Sequence, residues 1–278
     1  MNLKSQIESS ETLMGQRLED YFVSEFDEKS LPSHGLEHHR RVWNYCKKLV
    51  SVLGEKGHPF SDHFFDELIV AAYLHDIGMI VDSGPRHGKH SREICTRFLK
   101  INNFEVKDFD NALNTIEYHD RKDYDPEETG ISLLTILSVA DDLDAFGYTG
   151  IFRYAEIYLR RNVGFEDIGS FIMDNAAARF NHFIKVIGYR DRIFEKHKKR
   201  YLILDEFFKE YNIQVLSYKF GTKQPSGYCG VIEIIKMLSE NSIYINDFLK
   251  NREQERYDPT IRWYFNGLAS DFHEQNRI

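Results

Sequence analysis

Four polar residues interrupt the apolar stripes of the sequence: His38, His75, His119 and Asp141. Each stands where a spacing of three and four residues predicts a core side chain. An unpaired carboxylate or imidazole in an apolar interior is strongly unfavourable, and one shared metal ion accounts for the four intrusions together. Imidazole nitrogen and carboxylate oxygen suit Zn, Fe, Mn, Ni or Co, and helical bundles build such sites from facing helices. The pattern therefore predicts a metal centre.

One of the intruding histidines is followed directly by a carboxylate, in the doublet His75-Asp76 of the segment AAYLHDIG, residues 71–78. Successive residues of a helix point about 100° apart. We expect the doublet to lie on a helix and to offer both side chains to one ion. A single histidine on an apolar face is more often a hydrogen-bonded core residue, so the prediction depends on the joint arrangement.

The elements that must position these side chains carry helical periodicity almost throughout. Turn residues 82–85 follow the doublet, and a turn-rich loop at residues 221–230 follows a predicted short strand at residues 213–218. One or two more helices lie beyond that loop. The fold class is therefore predicted to be all-α. Before the loop, the periodicity predicts helices over about residues 34–53, 64–77, 90–101, 110–119, 132–146, 151–161, 174–186 and 190–211.

The composition is that of a folded globular protein, with 278 residues of which 42% are hydrophobic and 29% charged. No apolar run reaches the eighteen or so residues of a membrane span, and the first residues lack a secretory signal pattern, so a cytoplasmic location is expected. Three cysteines without a CxxC spacing give a disulfide framework no support. A net charge of −8 argues against broad nucleic-acid binding. The Lys- and Arg-rich residues 185–200 could recruit a phosphate, although such a run is usually a solvated helix face.

Three short motifs resemble those of the HD-domain superfamily of metal-dependent phosphohydrolases: HHRRV at residues 38–42, LHDIG at residues 74–78 and VADDLD at residues 139–144. The resemblance covers roughly residues 31–150. It implies an all-α HD-domain helical bundle with a C-terminal helical extension, in which different helices supply the ligands of a first metal ion. The implied ligands are His38, His75, Asp76 and Asp141.

Two further segments resemble the subgroup of this superfamily that binds a second metal ion: HGKHSREI, which begins at His87, and IEYH, which ends at His119. The resemblance implies that the two ions share Asp76. His90 lies on the same predicted helical stripe and is an alternative to His87. The expected cofactors are divalent ions (Mn, Fe, Zn, Co, Ni or Mg) in one site, with a second site beside it.

The sequence departs from the superfamily pattern at Met79, where many members carry a Lys or Glu that meets the substrate or the attacking water. A proton donor or phosphate clamp must then come from elsewhere, with Asp120 as one option. Phosphoryl transfer also needs cationic stabilisation. The main candidates are Asp76, His34 and Asp144 for catalysis, and Arg86, Lys89, Arg179 and His182 for substrate binding.

The resemblance implies hydrolysis of a phosphoester bond in a nucleotide or related small phosphorylated substrate, because two metal ions can hold a phosphate and activate water. Two alternatives stay open: a di-iron oxygenase of the same scaffold, and a non-catalytic metal- or nucleotide-binding module. The expected partner is the small substrate; a membrane is not expected, nucleic acid is disfavoured, and self-association is left open. We expect an N-terminal helical segment at residues 1–30, an HD-type core at residues 31–205 and a C-terminal extension at residues 206–278.

Overall fold

Regular structure in this protein is helical wherever the structure describes it, which confirms the predicted all-α fold. Short 3-10 turns and one π-helical segment, Glu11–Gly15, accompany the α-helices. The computed structural model describes residues 2–26, 31–121, 130–189, 192–221, 223–241 and 243–275.

The helices follow the predicted order along the chain, and most of their ends lie within a few residues of the prediction. They are α1 (Leu3–Ser10), α2 (Gln16–Glu25), α3 (Leu36–Glu55), α4 (Asp62–Leu74), α5 (His87–Ile101), α6 (Asp110–Tyr118), α7 (Leu133–Asp144), α8 (Gly147–Arg160), α9 (Phe165–Ile187), α10 (Arg192–Gln214), α11 (Gly227–Glu240), α12 (Ile245–Lys250) and α13 (Pro259–Gln275).

The chain forms two compact units. The first unit comprises Met1–Glu28 and His34–Leu143, and the second comprises Lys29–Ser33 and Asp144–Ile278. The domain boundaries expected after residues 30 and 205 remain predictions.

The first unit is built around α4. Residues 67–74 of this helix are all buried, and the helix packs against α1, α2, α3, α5 and α6. Its second half is apolar on every side, which is typical of a helix enclosed by its neighbours. Because these five helices surround α4, the residues that follow its C-terminus lie in the interior of this unit.

The His75-Asp76 doublet lies at the end of α4 and not within a helix, so the prediction of two ligands on one helix is wrong. The α-helix ends at Leu74, Asp76 has φ −104° and ψ 4°, and a 3-10 turn follows at Ile77–Ile80. The chain turns here because Gly78 packs against the start of α5. A Cβ on Gly78 would lie 2.4 Å from the backbone of that helix, so only glycine permits this approach.

The strand predicted at residues 213–218 is also wrong, because α10 continues to Gln214. Tertiary contacts extend the helix. The Tyr211 hydroxyl donates to the Phe165 carbonyl at 2.7 Å. The Gln214 side chain accepts from the Cys229 N–H at 2.9 Å, in the first turn of α11. These contacts outweigh the local β propensity of the segment.

The second unit packs α9 along α10, with α8, α11 and α13 against them. Phe180 and Tyr201 stack between α9 and α10, with ring centroids 4.3 Å apart. Asp271 of α13 accepts from the Thr149 N–H at 3.2 Å and so caps the first turn of α8.

Among the helices that the structure describes in either unit, none combines the length and apolar character needed to cross a membrane.

Candidate metal centre

Four of the predicted ligands converge at the end of α4 in the first unit. The Nε2 atoms of His38 and His75 lie 3.3 Å apart. Asp76 Oδ2 lies 3.5 Å from the first of these nitrogens and 3.4 Å from the second. Asp141 Oδ1 lies 3.8 Å from His38 Nε2. All four side chains are buried, and their ligand atoms are close enough together to surround one ion.

A second cluster lies on the other side of the same carboxylate. Asp76 Oδ1 lies 3.0 Å from His119 Nε2 and 3.3 Å from His87 Nε2. The two imidazole nitrogens are themselves 3.3 Å apart. Asp76 therefore directs Oδ2 toward one histidine pair and Oδ1 toward the other.

Three of these histidines are oriented in the same way, by a hydrogen bond to the carbonyl three residues earlier. A carbonyl can only accept, so each Nδ1 carries the hydrogen and each Nε2 keeps its lone pair for the cluster. Such a backbone bond to the second ring nitrogen is typical of metal-binding histidines. The bonds are His75 Nδ1 to Ala72 O at 3.1 Å, His87 Nδ1 to Gly84 O at 2.7 Å, and His119 Nδ1 to Ile116 O at 2.8 Å.

The spacing of the Nε2 atoms fits a bound cation. Two lone pairs that face each other at 3.3 Å inside a protein are unfavourable unless a proton or a metal ion lies between them. Two nitrogens that bind one tetrahedral ion at about 2.0–2.1 Å would be separated by about 3.3 Å. Both histidine pairs have this separation. The donor set of imidazoles and carboxylates is thus compatible with divalent metal binding.

The electrostatics of the cluster favour positive charge at its centre. Burial alone would raise the pKa of Asp76, but the imidazoles around it, His75 foremost, hold that pKa well below its usual value. Burial lowers the pKa of His87, but the hydrogen bond to Asp76 and the charges of Asp76 and Asp120 outweigh burial and raise that pKa to about 9. Without metal, the Asp76 carboxylate is therefore ionised, and His87 binds a proton more readily than a free imidazole does.

The structure distinguishes between the alternative histidines of α5. His87 is buried and belongs to the second cluster, whereas His90 Nδ1 faces the Glu93 carboxylate at 3.7 Å. His34, predicted as catalytic, lies beside the first cluster. Its Nε2 atom is 3.9 Å from Asp76 Oδ2, and its ring centroid is 5.3 Å from that of His38.

The two cationic candidates of α5 flank His87 at the surface. Arg86 is exposed and its Nε donates to Asp82 at 3.2 Å. Lys89 is exposed in the first turn of the helix. Met79, where the superfamily pattern has a charge, is buried in the 3-10 turn after the doublet.

The remaining candidates belong to the second unit. Asp144 is buried, and its Oδ2 atom lies 3.3 Å from Arg153. The Arg179 guanidinium donates to the Asn175 side chain at 2.9 Å, and His182 is half-buried on the same helix. Their catalytic and substrate-binding roles remain predictions. In the basic run at residues 185–200, Lys196, Lys198 and Lys199 are exposed, and residues 190 and 191 lie outside the described residues.

Sequence reasoning missed two glycines that bring the ligand-bearing segments together. Gly78 lets the turn after the doublet approach α5, where its N–H donates to Ser91 Oγ at 2.8 Å. Gly88 faces α6, and a Cβ there would lie 2.5 Å from the Glu117 carbonyl oxygen. The sequence does show a glycine three residues after His75 and another directly after His87, and glycines at these positions indicate close backbone packing beside the ligands.

Sequence reasoning also missed His39, which is fully buried beside His38. Burial, together with the neighbouring imidazoles of His38 and His75, holds the pKa of His39 well below its usual value. The ring is therefore a neutral imidazole. The feature of the sequence that could have identified His39 is its position directly after His38, a predicted ligand.

Residues 35–145 match the family model described as the HD domain. No curated protein matches the chain significantly. A crystal structure of a Lactobacillus plantarum protein from the Northeast Structural Genomics effort is 15% identical in sequence, covers 78% of this chain and 100% of its own, and superposes with a TM-score of 0.54. At this identity the likeness concerns the fold alone. The matched segment belongs to the HD-domain superfamily, whose members include metal-dependent phosphohydrolases.

Proposed function

We propose that this protein is a metal-dependent hydrolase that cleaves the phosphoester bond of a small phosphorylated substrate with a metal-activated water. The observation that carries the proposal is the division of the Asp76 carboxylate between two histidine pairs, with Oδ2 near His38 and His75 and Oδ1 near His87 and His119. A shared carboxylate supports two ions close enough together to act on one phosphate.

Six residues are proposed to hold the two ions. The first ion has four candidate ligands and the second has three, with Asp76 common to both. Bound divalent ions supply a hydroxide near neutral pH and stabilise charge on the transferred phosphoryl group. The proposed ligands are His38, His75, Asp76 and Asp141 for the first ion, and Asp76, His87 and His119 for the second.

The protein's own contribution is orientation and exclusion of water. Carbonyls three residues earlier fix the rings of His75, His87 and His119, so these ligands need not reorganise when an ion binds. The ligand side chains are buried, which strengthens electrostatic interactions at the reacting centre. We propose that His34, beside Asp76 Oδ2, hydrogen bonds to the substrate or to the attacking water.

The substrate is proposed to be a nucleotide or a related small phosphoester. Arg86 and Lys89 flank His87 and can attract a phosphate to the second ion, since both are cationic and exposed. Arg179 and His182 remain proposed for substrate binding, and Asp144 for catalysis. We propose that residues outside the HD-domain match, which spans residues 35–145, determine which substrate is preferred.

The test is a phosphoesterase screen with metal-free protein reloaded with Mn, Co, Mg, Ni, Zn or Fe. Nucleoside mono-, di- and triphosphates and para-nitrophenyl phosphate would be the substrates. We expect metal-stimulated phosphate release that His75→Ala abolishes, while His63→Ala, which alters a half-exposed histidine, leaves it intact. Equal turnover in His75→Ala and the wild type would refute the proposal. Oxygen consumption by the iron-loaded protein, without phosphate release, would favour the oxygenase alternative.

A further inference from the structure

His39 is a buried imidazole that the proposed metal centre does not use. Its Nδ1 donates to the Ala72 carbonyl at 3.2 Å, the same oxygen that accepts from His75 Nδ1. Its Nε2 therefore carries a lone pair, and this atom is buried without a hydrogen-bond partner among the described residues. A buried polar atom in that condition calls for an explanation.

His39 lies close to two of the proposed ligands, and the three ring centroids form a nearly equilateral triangle. The ring centroids of His38 and His39 lie 4.8 Å apart, those of His39 and His75 lie 4.9 Å apart, and those of His38 and His75 lie 5.2 Å apart. One ring nitrogen of each histidine lies within 4.8 Å of the others. The three side chains are fully buried or nearly so.

This triad differs in chemistry from the two clusters around Asp76, because it offers nitrogen alone. Imidazole favours Zn²⁺, Cu²⁺ and Ni²⁺, whereas carboxylates suit Mn²⁺ and Mg²⁺ better. Three imidazole ligands with one open position form a known type of zinc site. The backbone bonds of His39 and His75 leave their Nε2 lone pairs available to such an ion.

We propose that His38, His39 and His75 form a third cation position, which binds Zn²⁺ in preference to Mn²⁺. The inference rests on the proposed function only in that the triad takes two histidines from the first metal position. The two positions therefore exclude each other: an ion bound by three nitrogens withdraws His38 and His75 from the mixed site that includes Asp141. The protein would hold either Mn²⁺ at the mixed site or Zn²⁺ at the triad.

The first experiment removes the carboxylates and titrates what remains. The double variant Asp76→Asn/Asp141→Asn keeps all three imidazoles and should bind one equivalent of Zn²⁺. Co²⁺, as a spectroscopic probe, should give the strong visible absorption of a four-coordinate site. Adding His39→Leu should weaken binding at least tenfold, whereas adding His63→Leu should not. No binding by the double variant, or equal affinity with and without His39, would overturn the proposal.

The second experiment uses the unaltered chain, so that a folding defect in the variants cannot decide the question. X-ray absorption spectroscopy of the protein loaded with one equivalent of Zn²⁺ should show three imidazoles and no protein carboxylate. A shell of two imidazoles and two carboxylates would contradict the triad. Both experiments measure metal ligation and not turnover, so the triad can fail while hydrolysis stands, and the reverse.

Discussion

His87 Nε2 lies 3.3 Å from His119 Nε2, the same separation as between the Nε2 atoms of His38 and His75. The two pairs come from four separate segments, yet each faces one oxygen of Asp76. A carboxylate and two histidine pairs thus form two similar half-sites with a common centre.

His87→Ala should empty the second half-site and spare the first, because His87 belongs only to the second group of ligands. Metal content measured by mass spectrometry after equilibration with Mn²⁺ should fall from two ions per chain to one. His90→Ala is the matched control on the same helix, since His90 faces Glu93 and its loss should leave both ions bound. Loss of both ions in His87→Ala would contradict the assignment of independent half-sites.

Gly78→Ala should weaken the second half-site without replacing any of its proposed ligands. The new Cβ would lie 2.4 Å from the His87 carbonyl oxygen and the Ser91 nitrogen, so the start of α5 must move away. We expect a stability loss of about 1–3 kcal/mol and a lower affinity for the second ion, measured by urea unfolding and metal titration. Gly15→Ala, where a Cβ has open space, should change neither; an equal effect at both glycines would rule out the packing argument.

Glu67→Gln should destabilise the helix that carries His119 at its end. The buried Glu67 carboxylate accepts from the N–H groups of Asn111 at 3.1 Å and Ala112 at 3.3 Å, in the first turn of α6. Its negative charge also complements the positive end of the helix dipole. The glutamine oxygen can still accept from these N–H groups, so the variant loses the contribution of the charge, about 0.3–1 kcal/mol, measurable by urea unfolding. The exposed Glu8→Gln is the control, and equal stability of the two variants would count against the capping role.

The pH dependence of stability should differ between the metal-free and the metal-loaded protein. In metal-free protein the pKa of His87 is raised to about 9, above the value of about 6.5 expected when unfolded. The folded state then binds the proton more tightly, so this contribution is complete below pH 6.5 and is lost as the pH rises to 9. With metal bound, the ligand is deprotonated in the folded state, so stability should rise as the pH increases to about 6.5 and level off above that value. Melting temperatures of chelator-treated and metal-loaded protein at several pH values test this, and parallel curves would contradict it.

The sequence identifies four residues of the clusters, His38, His75, His119 and Asp141, because each of them interrupts an apolar pattern. His75 and His119 fall where core residues are expected, and burial without a partner is too unfavourable for chance. By contrast, the end of α4 at Leu74 depends on the contact of Gly78 with α5, which is distant in sequence. Periodicity alone therefore predicts a helix that continues to about residue 77 and includes Asp76, whereas α4 ends at Leu74.

The choice between His87 and His90 shows the same limit. Both lie on the predicted stripe of α5, and periodicity cannot rank them. The structure ranks them because α5 begins at His87, whose Nδ1 is held by the Gly84 carbonyl at 2.7 Å. The failed strand at residues 213–218 has a comparable origin, since the contacts that extend α10 to Gln214 reach across the fold.

Asp76→Asn offers the most direct test of the bridging carboxylate, because the amide keeps the shape of the side chain and removes its charge from both half-sites together. Metal content per chain should be measured after loading with Mn²⁺, beside the wild type and His63→Ala. We expect two Mn²⁺ ions per chain in the wild type and in His63→Ala, and no tightly bound Mn²⁺ in Asp76→Asn. Two ions retained by Asp76→Asn would contradict the central claim.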